Sequence, residues 1–186
     1  IENALRDFDI VLRNDPKNYN LFNIRSQIYL SRKDYDSAIS DLNQAIKINP
    51  QFAPSLFNRA MAYRAKGDND RAMADFDQAV KLNPRDPLVF YSRGQLNKEQ
   101  RSFDRAISDF TQAIKINPDY GGALSDRGVA YLAKGDTERA IEDFDQAIQL
   151  SPRDANLYNN RALTYRNKGD TERAIADYDQ AIDLNP

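Results

Sequence analysis

The chain has 186 residues, of which 41% are hydrophobic and 29% are charged, and its formal net charge is −2. This composition excludes a disordered chain. No apolar run approaches the roughly 20 residues that cross a bilayer, which excludes membrane insertion. The small net charge gives no basic stripe for nucleic acid. Because the sequence contains no cysteine and no histidine, it excludes disulfides, thiolate metal sites, cysteine nucleophiles and histidine bases.

The first predicted element is a helix over residues 1–13, and from there an interval of 34 residues organises the chain. Prolines mark this interval at positions 16, 50, 84, 118, 152 and 186. Two columns of alanine and one column of large apolar residues repeat with it. The columns are Ala4, Ala38, Ala72, Ala106, Ala140 and Ala174; Phe8, Leu42, Phe76, Phe110, Phe144 and Tyr178; and Ala45, Ala79, Ala113, Ala147 and Ala181. An interval kept through six copies indicates an array of structural repeats.

Each copy is predicted to be a helical hairpin. Over residues 53–65 and again over 69–82, apolar residues recur at helical spacing. Gly67 suits the left-handed conformation that follows a helix, and Asp68 suits the cap of the next helix. The same Gly-Asp pair recurs at 135–136 and 169–170, and an Asn-Pro dipeptide near the end of most copies stops the second helix.

The columns predict how the helices pack. The alanines allow the paired helices to approach closely, opposite a column of small residues, and the large apolar column fills the remaining volume. The small residues are Ser26, Ala60, Gly94, Gly128 and Ala162. A further apolar column, expected to face the next hairpin, is Ile39, Met73, Ile107, Ile141 and Ile175. Because one hairpin cannot bury both of its faces, the hairpins must stack.

These spacings resemble the tetratricopeptide repeat (TPR) family, whose 34-residue pattern is a large residue, Leu-Gly, Tyr, Ala, Phe, Ala and Pro. The copy that begins at residue 53 matches it with Leu56, Ala60, Tyr63, Ala72, Phe76, Ala79 and Pro84. The resemblance implies an all-α fold, a right-handed superhelical solenoid of antiparallel helix hairpins with about eleven helices. It implies a single array over 1–186, in which 1–18 is a partial repeat, 19–52, 53–86, 87–120 and 121–154 are full repeats, and 155–186 is nearly complete.

The chain departs from the family pattern in two ways. Arginine replaces the usual leucine in every copy and an aspartate column accompanies it, as Arg25, Arg59, Arg93, Arg127 and Arg161 with Asp41, Asp75, Asp109, Asp143 and Asp177. We predict that each arginine bonds the aspartate on its partner helix as a partly buried pair. The competing pair is an arginine four residues before the aspartate, such as Arg71 and Asp75. The copy at 87–120 is also irregular, with Asn97 for tyrosine and Arg101-Ser102 for Gly-Asp.

The resemblance also implies where a ligand lies, because in this family the first helix of each hairpin lines the concave face. The corresponding side chains are rich in amides and nearly neutral. They are Asn23, Gln27, Phe57, Asn58, Met61, Arg64, Tyr91, Gln95, Lys98, Asp126, Asn159, Asn160 and Arg166. Amides donate to and accept from a peptide backbone, so we expect an extended protein or peptide segment, with Phe57, Met61 and Tyr91 as apolar anchors. The alternative is that these side chains are solvated polar residues on a helix face.

The sequence predicts no enzyme. It has no phosphate-binding glycine loop, no dinucleotide fingerprint and no nucleophile elbow. Aspartates two residues apart, such as Asp143 and Asp145, suggest metal or acid–base chemistry, but side chains at this spacing on a helix do not face each other. We therefore expect no catalytic residue, no cofactor and no metal, and we expect a protein–protein interaction module or scaffold.

Two alternative functions remain open. Ile175 and Ile182 are expected to be exposed on the last helix, and the helix over 1–13 lacks a hairpin partner. These unfinished ends suggest a self-assembling scaffold, a homo-oligomer through end-to-end stacking. The other alternative is that the array is the recruiting arm of a larger enzyme. The compartment stays open between cytoplasm and periplasm, and the Lys-Gly-Asp turns are similar to those of bacterial members of the family.

Overall fold

The computed structural model describes residues 2–185, with side chains from residue 5 onward. These residues form eleven α-helices and no strand, which confirms the predicted all-α fold. The helices are α1 (Glu2–Asn14), α2 (Tyr19–Ser31), α3 (Tyr35–Ile48), α4 (Ala53–Ala65), α5 (Asn69–Leu82), α6 (Pro87–Glu99), α7 (Phe103–Ile116), α8 (Gly121–Ala133), α9 (Thr137–Leu150), α10 (Ala155–Lys168) and α11 (Thr171–Leu184). The side chains of Ala4 and Pro186, which belong to the repeating columns, lie outside the described part.

The helices form two compact units, Ile1–Arg85 and Asp86–Pro186. In the first unit α2 pairs with α3 and α4 with α5, while α3 packs on α4 and α1 packs on α2. In the second unit α6 pairs with α7, α8 with α9 and α10 with α11, and the hairpins stack through α7 on α8 and α9 on α10. The first helices of neighbouring hairpins also contact each other. In the first unit α2 contacts α4, and in the second unit α8 contacts both α6 and α10. Each unit is thus a stack of helical hairpins, which is the predicted solenoid architecture.

Three of the hairpin turns use glycine in the left-handed region, as the sequence predicts. Gly67, Gly135 and Gly169 have φ values of 79°, 80° and 85°. In the turn at Gly67, the Asp68 N–H donates to the Tyr63 carbonyl oxygen at 2.9 Å. The Asp68 carboxylate accepts from the backbone N–H three residues later at 3.2 Å. Aspartate therefore closes the first helix and caps the second, next to a glycine that adopts positive φ at no steric cost.

The other two hairpin turns lack glycine. Lys33 and Arg101 both adopt a φ of 59°, a conformation that costs a residue with a Cβ roughly 1–2 kcal/mol. At the first of these turns Asp34 still caps α3 by accepting from the Ser37 N–H at 3.2 Å. At the second, Ser102 forms no side-chain hydrogen bond to α7. The turn between α6 and α7 is therefore the least favourable of the five.

The second helices stop where the Asn-Pro dipeptides predict. Asn49, Asn83 and Asn117 have φ values of −131°, −132° and −130°, and each donates its N–H to the alanine carbonyl four residues earlier. The proline that follows each of them disfavours the helical conformation at the asparagine. The helix therefore ends within one residue, and the chain turns to begin the next hairpin.

The alanine and large apolar columns form the core of the hairpins, as predicted. Phe76, Phe110 and Phe144 are fully buried, and so are the alanines that flank them. The small residue on the first helix faces this ring, because a Cβ added at Gly94 would lie 2.7 Å from a ring carbon of Phe110. Close packing at this point leaves room for one bulky side chain in each hairpin.

The further apolar column faces the next hairpin, as expected. Ile107 of α7 packs against the buried cluster of Tyr131, Ala140 and Phe144 in the following hairpin. Ile175 occupies the corresponding position on α11, and there it is 54% exposed. The column therefore joins neighbouring hairpins where a neighbour is present, and it presents an apolar side chain on α11.

Candidate interaction surface on the first helices

A bidentate arginine–aspartate pair joins the two helices of every complete hairpin. Arg127 of α8 donates Nε to Asp143 Oδ2 at 2.8 Å and Nη2 to Asp143 Oδ1 at 2.7 Å. The two side chains are 16% and 3% exposed. The equivalent pairs are Arg25 with Asp41, Arg59 with Asp75, Arg93 with Asp109 and Arg161 with Asp177. The predicted partly buried pair is confirmed in all five copies.

The same arginines reach back to the preceding hairpin, a contact that the sequence analysis did not predict. Arg161 Nη1 donates to Asp145 of α9 at 2.5 Å. Hydrogen bonding to Asp177, with a further contribution from Asp145, raises the pKa of Arg161 above its ordinary value. The matching contacts of Nη1 are Arg25 with Asp9, Arg59 with Asn43 and Arg127 with Thr111. An aspartate two residues beyond the paired one therefore binds the next hairpin, which gives the Asp143/Asp145 pattern a structural role.

The competing pair is not formed, because Arg71 bonds the capping aspartate instead. Arg71 Nε donates to Asp68 Oδ2 at 2.6 Å, and its guanidinium lies 4.4 Å from the ring centroid of Tyr63. The turns that begin at Asp136 and Asp170 repeat this arrangement. The pKa of each of these three capping aspartates is lowered, mainly because the following arginine donates a hydrogen bond to it.

In the first unit, the predicted groove residues meet through an amide contact between α2 and α4. Asn58 Nδ2 donates to Asn23 Oδ1 at 3.0 Å, and Ser55 Oγ donates to the same oxygen at 3.2 Å. Asn23 is only 4% exposed, so its amide oxygen serves the contact between the first helices. Ser55 could not be predicted from the sequence, because a serine on a helix gives no signal of a partner 32 residues away.

The remaining predicted residues of the first unit differ in accessibility. Gln27 is exposed, whereas Phe57, Met61 and Arg64 are half-buried, as is Asn58. The Phe57 ring centroid lies 6.0 Å from that of the core residue Phe76. Phe57 thus rests partly on the hairpin core and presents only the remainder of its surface.

In the second unit, four predicted residues on α6 and α8 form one polar network. Gln95 Nε2 donates to the Tyr91 hydroxyl at 2.8 Å and to Asp126 Oδ2 at 3.3 Å. Lys98 Nζ lies 2.5 Å from Asp126 Oδ1. All four side chains are half-buried, so the network is ordered by its own contacts while part of it stays accessible.

The ring of Tyr91 also packs against aromatic rings near the start of α8. The Tyr91 ring centroid lies 4.8 Å from that of Tyr120 and 5.9 Å from that of Phe110. Burial raises the pKa of Tyr120, and the negative charges of Asp86 and Asp126 raise it further. The Tyr120 hydroxyl therefore stays protonated at neutral pH.

The three predicted groove residues on α10 do not take part in the contacts described above. Asn159 and Arg166 are exposed, and Asn160 is half-buried. The side chains of these three residues form no hydrogen bond to another predicted groove residue in the part of the chain that the structure describes.

A cleft that the sequence analysis missed lies beside the network of the second unit. We call it the α8–α10 cleft; it has a volume of about 340 Å³ and is lined by Tyr91, Gly121, Gly122, Ser125, Asp126, Ala147, Ser151, Asp154 and Leu157. Its walls come from α6, the start of α8, the end of α9 and the start of α10. Tyr91 and Asp126 belong to the predicted set, and Ser125 also lies at a groove position carried over from the family. The other lining residues lie near helix ends outside those positions.

Two further classes of site are absent from the described residues. Between residues 2 and 185, the structure contains no cluster of three or more carboxylate, thiol or imidazole side chains that could hold a metal ion. Within the same residues, none of the helices is long and apolar enough to cross a membrane.

Hairpin stacks of this geometry are found in known repeat proteins. The chain is similar in fold to YrrB, described as a TPR protein with an unusual peptide-binding site, at 19% identity and a TM-score of 0.84, covering 96% of this chain and 92% of that one. It is similar to MamA from Desulfovibrio magneticus RS-1, at 22% identity and 0.84, over 89% and 94% of the two chains. A third similar structure is PilF of Pseudomonas aeruginosa, at 18% and 0.80, over 92% and 78%. No curated protein sequence matches the chain significantly.

The fold and the repeating columns define the class of helical repeat scaffolds. A family model described as TPR repeat matches residues 27–63, 60–101 and 128–169, and three described as Tetratricopeptide repeat match 88–120, 110–142 and 155–186. The chain belongs to the tetratricopeptide repeat family. Proteins of this family are typically interaction scaffolds, and membership of the family supports a scaffold role for this chain.

Proposed function

We propose that this protein binds an extended protein or peptide segment along the first helices of its hairpins. The observation that carries the proposal is the network of Tyr91, Gln95, Lys98 and Asp126, which is held in place by its own hydrogen bonds while remaining partly accessible. Polar groups that are ordered before binding lose little conformational entropy when a ligand arrives. We propose this for residues 1–186 taken as one array of helical hairpins.

The chemistry of these surfaces favours recognition of a peptide backbone. Amide side chains can both donate to and accept from peptide groups, and Asn58, Gln95 and Asn160 lie on first helices in partly buried positions. Met61 and Tyr91 supply apolar surface beside them. The peptide-binding site described for YrrB supports the proposal by analogy of fold.

A selection from a displayed peptide library, followed by fluorescence anisotropy with the enriched peptides, tests the proposal. The test variant carries Asn58→Ala, Tyr91→Ala and Asn160→Ala. The matched control carries Gln78→Ala, Gln112→Ala and Gln146→Ala, three exposed positions on second helices. We expect the test variant to bind about tenfold or more weakly, because the loss of one dominant contact among the three, worth about 1.4 kcal/mol or more, changes affinity tenfold. Equal binding by wild type and test variant, or an equal loss in the control, overturns the proposal.

The exposed isoleucines of α11 favour a second candidate, which is self-association. Ile175 and Ile182 are 54% and 61% exposed, and exposed apolar surface of this kind marks interaction sites. Sedimentation velocity at several concentrations tests it, with Ile175→Asp/Ile182→Asp as the variant. A wild-type chain that stays monomeric over the whole range rules this candidate out.

A further inference from the structure

We infer that the α8–α10 cleft receives a cationic side chain, arginine or lysine, of the bound segment. The inference rests on the proposed function and names the residue type that one part of the surface selects. It follows from the charges and hydrogen-bond acceptors of the cleft, and from its size, which is at the lower end of the range for ligand pockets.

The cleft contains a carboxylate without a cationic partner. Asp154 Oδ1 caps α10 by accepting from the Asn156 N–H at 2.9 Å. Asp154 Oδ2 accepts no hydrogen bond from the described residues, and Asp154 forms no ion pair with any of them. The hydroxyls of Ser125 and Ser151 in the same lining are likewise without a hydrogen bond in the described part of the chain. A guanidinium or ammonium group donates several hydrogen bonds and accepts none, which matches this set of acceptors.

The charge balance of the cleft favours a cation. Asp126 is already neutralised by Lys98 at 2.5 Å, and no arginine or lysine belongs to the lining. Asp86, at the start of α6, adds a negative charge beside the cleft, where it contributes, after burial, to the raised pKa of Tyr120. The end of α9 at Ser151 adds carbonyl oxygens with partial negative charge.

Two helix N-termini in the lining oppose a cation. The start of α8 has no side-chain cap from Tyr120, and the start of α10 is capped by Asp154; each N-terminus carries about half an elementary positive charge. The full charge of Asp154 and the C-terminus of α9 together outweigh them. The Gly122 N–H, which donates no hydrogen bond within the described residues, is available to a backbone carbonyl of the segment. A Cβ at Gly122 would lie 3.3 Å from the Tyr91 hydroxyl, so glycine also keeps this approach open.

The amides of Gly121 and Gly122 provide a direct assay. We would record ¹H–¹⁵N spectra of the full chain during titration with acetyl-Gly-Arg-Gly-amide, and in parallel with the same blocked tripeptide carrying glutamine or glutamate. We expect the arginine tripeptide alone to shift the Gly121 and Gly122 signals. The turn glycines Gly67, Gly135 and Gly169 lie outside the cleft lining and should not move.

The variant Asp154→Asn separates charge from folding, because asparagine caps a helix as well as aspartate does. We expect it to weaken binding of the arginine tripeptide about threefold, the effect of one partly exposed ion pair. The control Asp170→Asn makes the same change at the cap of α11 and should bind as wild type. A glycine pair that does not shift, a preference for glutamate, or equal binding by wild type and Asp154→Asn overturns the inference.

The peptide selection described above distinguishes the two possible failures. If enriched peptides bind through the first helices but carry no basic residue, the inference about the cleft fails while the proposed function stands. If no peptide is enriched and the glycines do not respond, both fail.

Discussion

Arg127 donates two hydrogen bonds to Asp143, and this pair joins the first and second helices of one hairpin. Arg127→Leu installs the leucine that the TPR pattern carries here, but it leaves a buried carboxylate without its partner. Breaking a buried pair costs about 3–5 kcal/mol, whereas replacing both members by apolar residues is often close to neutral. We expect Arg127→Leu to lower the free energy of unfolding by roughly 3 kcal/mol, and Arg127→Leu/Asp143→Leu to recover most of that loss.

Urea unfolding followed by circular dichroism measures both changes. Arg105→Leu is the control, because Arg105 is an exposed arginine on α7, and it should change the free energy of unfolding by less than about 0.5 kcal/mol. If the double variant is as unstable as the single one, the loss comes from packing of the arginine stem and not from the unpaired carboxylate.

Asn97 occupies the position where three other hairpins bury a tyrosine. It is only 3% exposed, its Nδ2 donates to Asp109 at 2.9 Å, and its Oδ1 has no hydrogen-bond partner. An unsatisfied buried acceptor costs about 1–3 kcal/mol, so Asn97→Tyr should raise the free energy of unfolding by about 1 kcal/mol after the hydrogen bond to Asp109 is lost. Thermal and urea unfolding check this. A variant less stable than wild type would show that the tyrosine does not fit between α6 and α7.

The turn between α6 and α7 should be improvable in the same way. Arg101→Gly removes the cost of a positive φ at a residue with a side chain, and Ser102→Asp supplies the cap that α7 lacks and a partner for Arg105. Together we expect about 1–2 kcal/mol of added stability. The matched control is Lys33→Gly in the α2–α3 turn, where Asp34 already caps the helix, so it should give only the glycine part of the gain. No gain in either variant contradicts the assignment of strain to these turns.

Acid should remove part of the stability through the capping aspartates Asp68, Asp136 and Asp170. Their pKa values are lowered in the folded chain, mainly because Arg71, Arg139 and Arg173 donate hydrogen bonds to them. A lowered folded pKa means that the stabilisation is complete above the unfolded value of about 3.9 and is lost as the pH falls through the folded value. Thermal unfolding between neutral pH and pH about 3 should therefore show a falling midpoint.

Replacement of all three capping aspartates by asparagine tests the assignment. The helix caps remain, because asparagine and aspartate cap equally well, but the groups no longer titrate. The variant should lose less stability in acid than wild type does. Carboxyl titration by NMR checks the cause directly, and folded pKa values at or above the ordinary aspartate value would contradict it.

Most of the fold could be predicted from the sequence, because each 34-residue copy repeats the same signals for helices, turns and helix ends. Alanine spacing, Gly-Asp turns and Asn-Pro stops predicted helix ends that the structure places at the expected residues, and the Arg127–Asp143 type of pair followed from two columns on partner helices. The left-handed conformation of Lys33 and Arg101 was not predicted, since neither residue favours positive φ and only the surrounding hairpin imposes it.

The candidate surface was predictable only in outline. Family analogy predicted the first helices as the binding surface, but it did not predict which of their side chains contact one another. The contact from Asn58 to Asn23 and the contact from Gln95 to Asp126 depend on the stacking distance between hairpins. The α8–α10 cleft brings a side chain of α6 and the start of α8 next to the junction between α9 and α10, segments that whole helices separate in sequence. The sequence pattern of a single repeat does not predict contacts between side chains of different repeats.

The backward contact of each arginine also sets how strongly neighbouring hairpins cooperate. The acceptor is a carboxylate in Asp9 and Asp145, but it is neutral in Asn43 and Thr111. Arginine donates a charge-assisted hydrogen bond to either kind of acceptor, but a carboxylate acceptor adds a Coulombic attraction that salt screens. The stability of a repeat array includes a separate coupling for every junction. Added salt should therefore weaken the α9–α10 junction, which contains Asp145, more than the α7–α8 junction, which contains Thr111, so one acceptor side chain per repeat sets how strongly a junction responds to ionic strength.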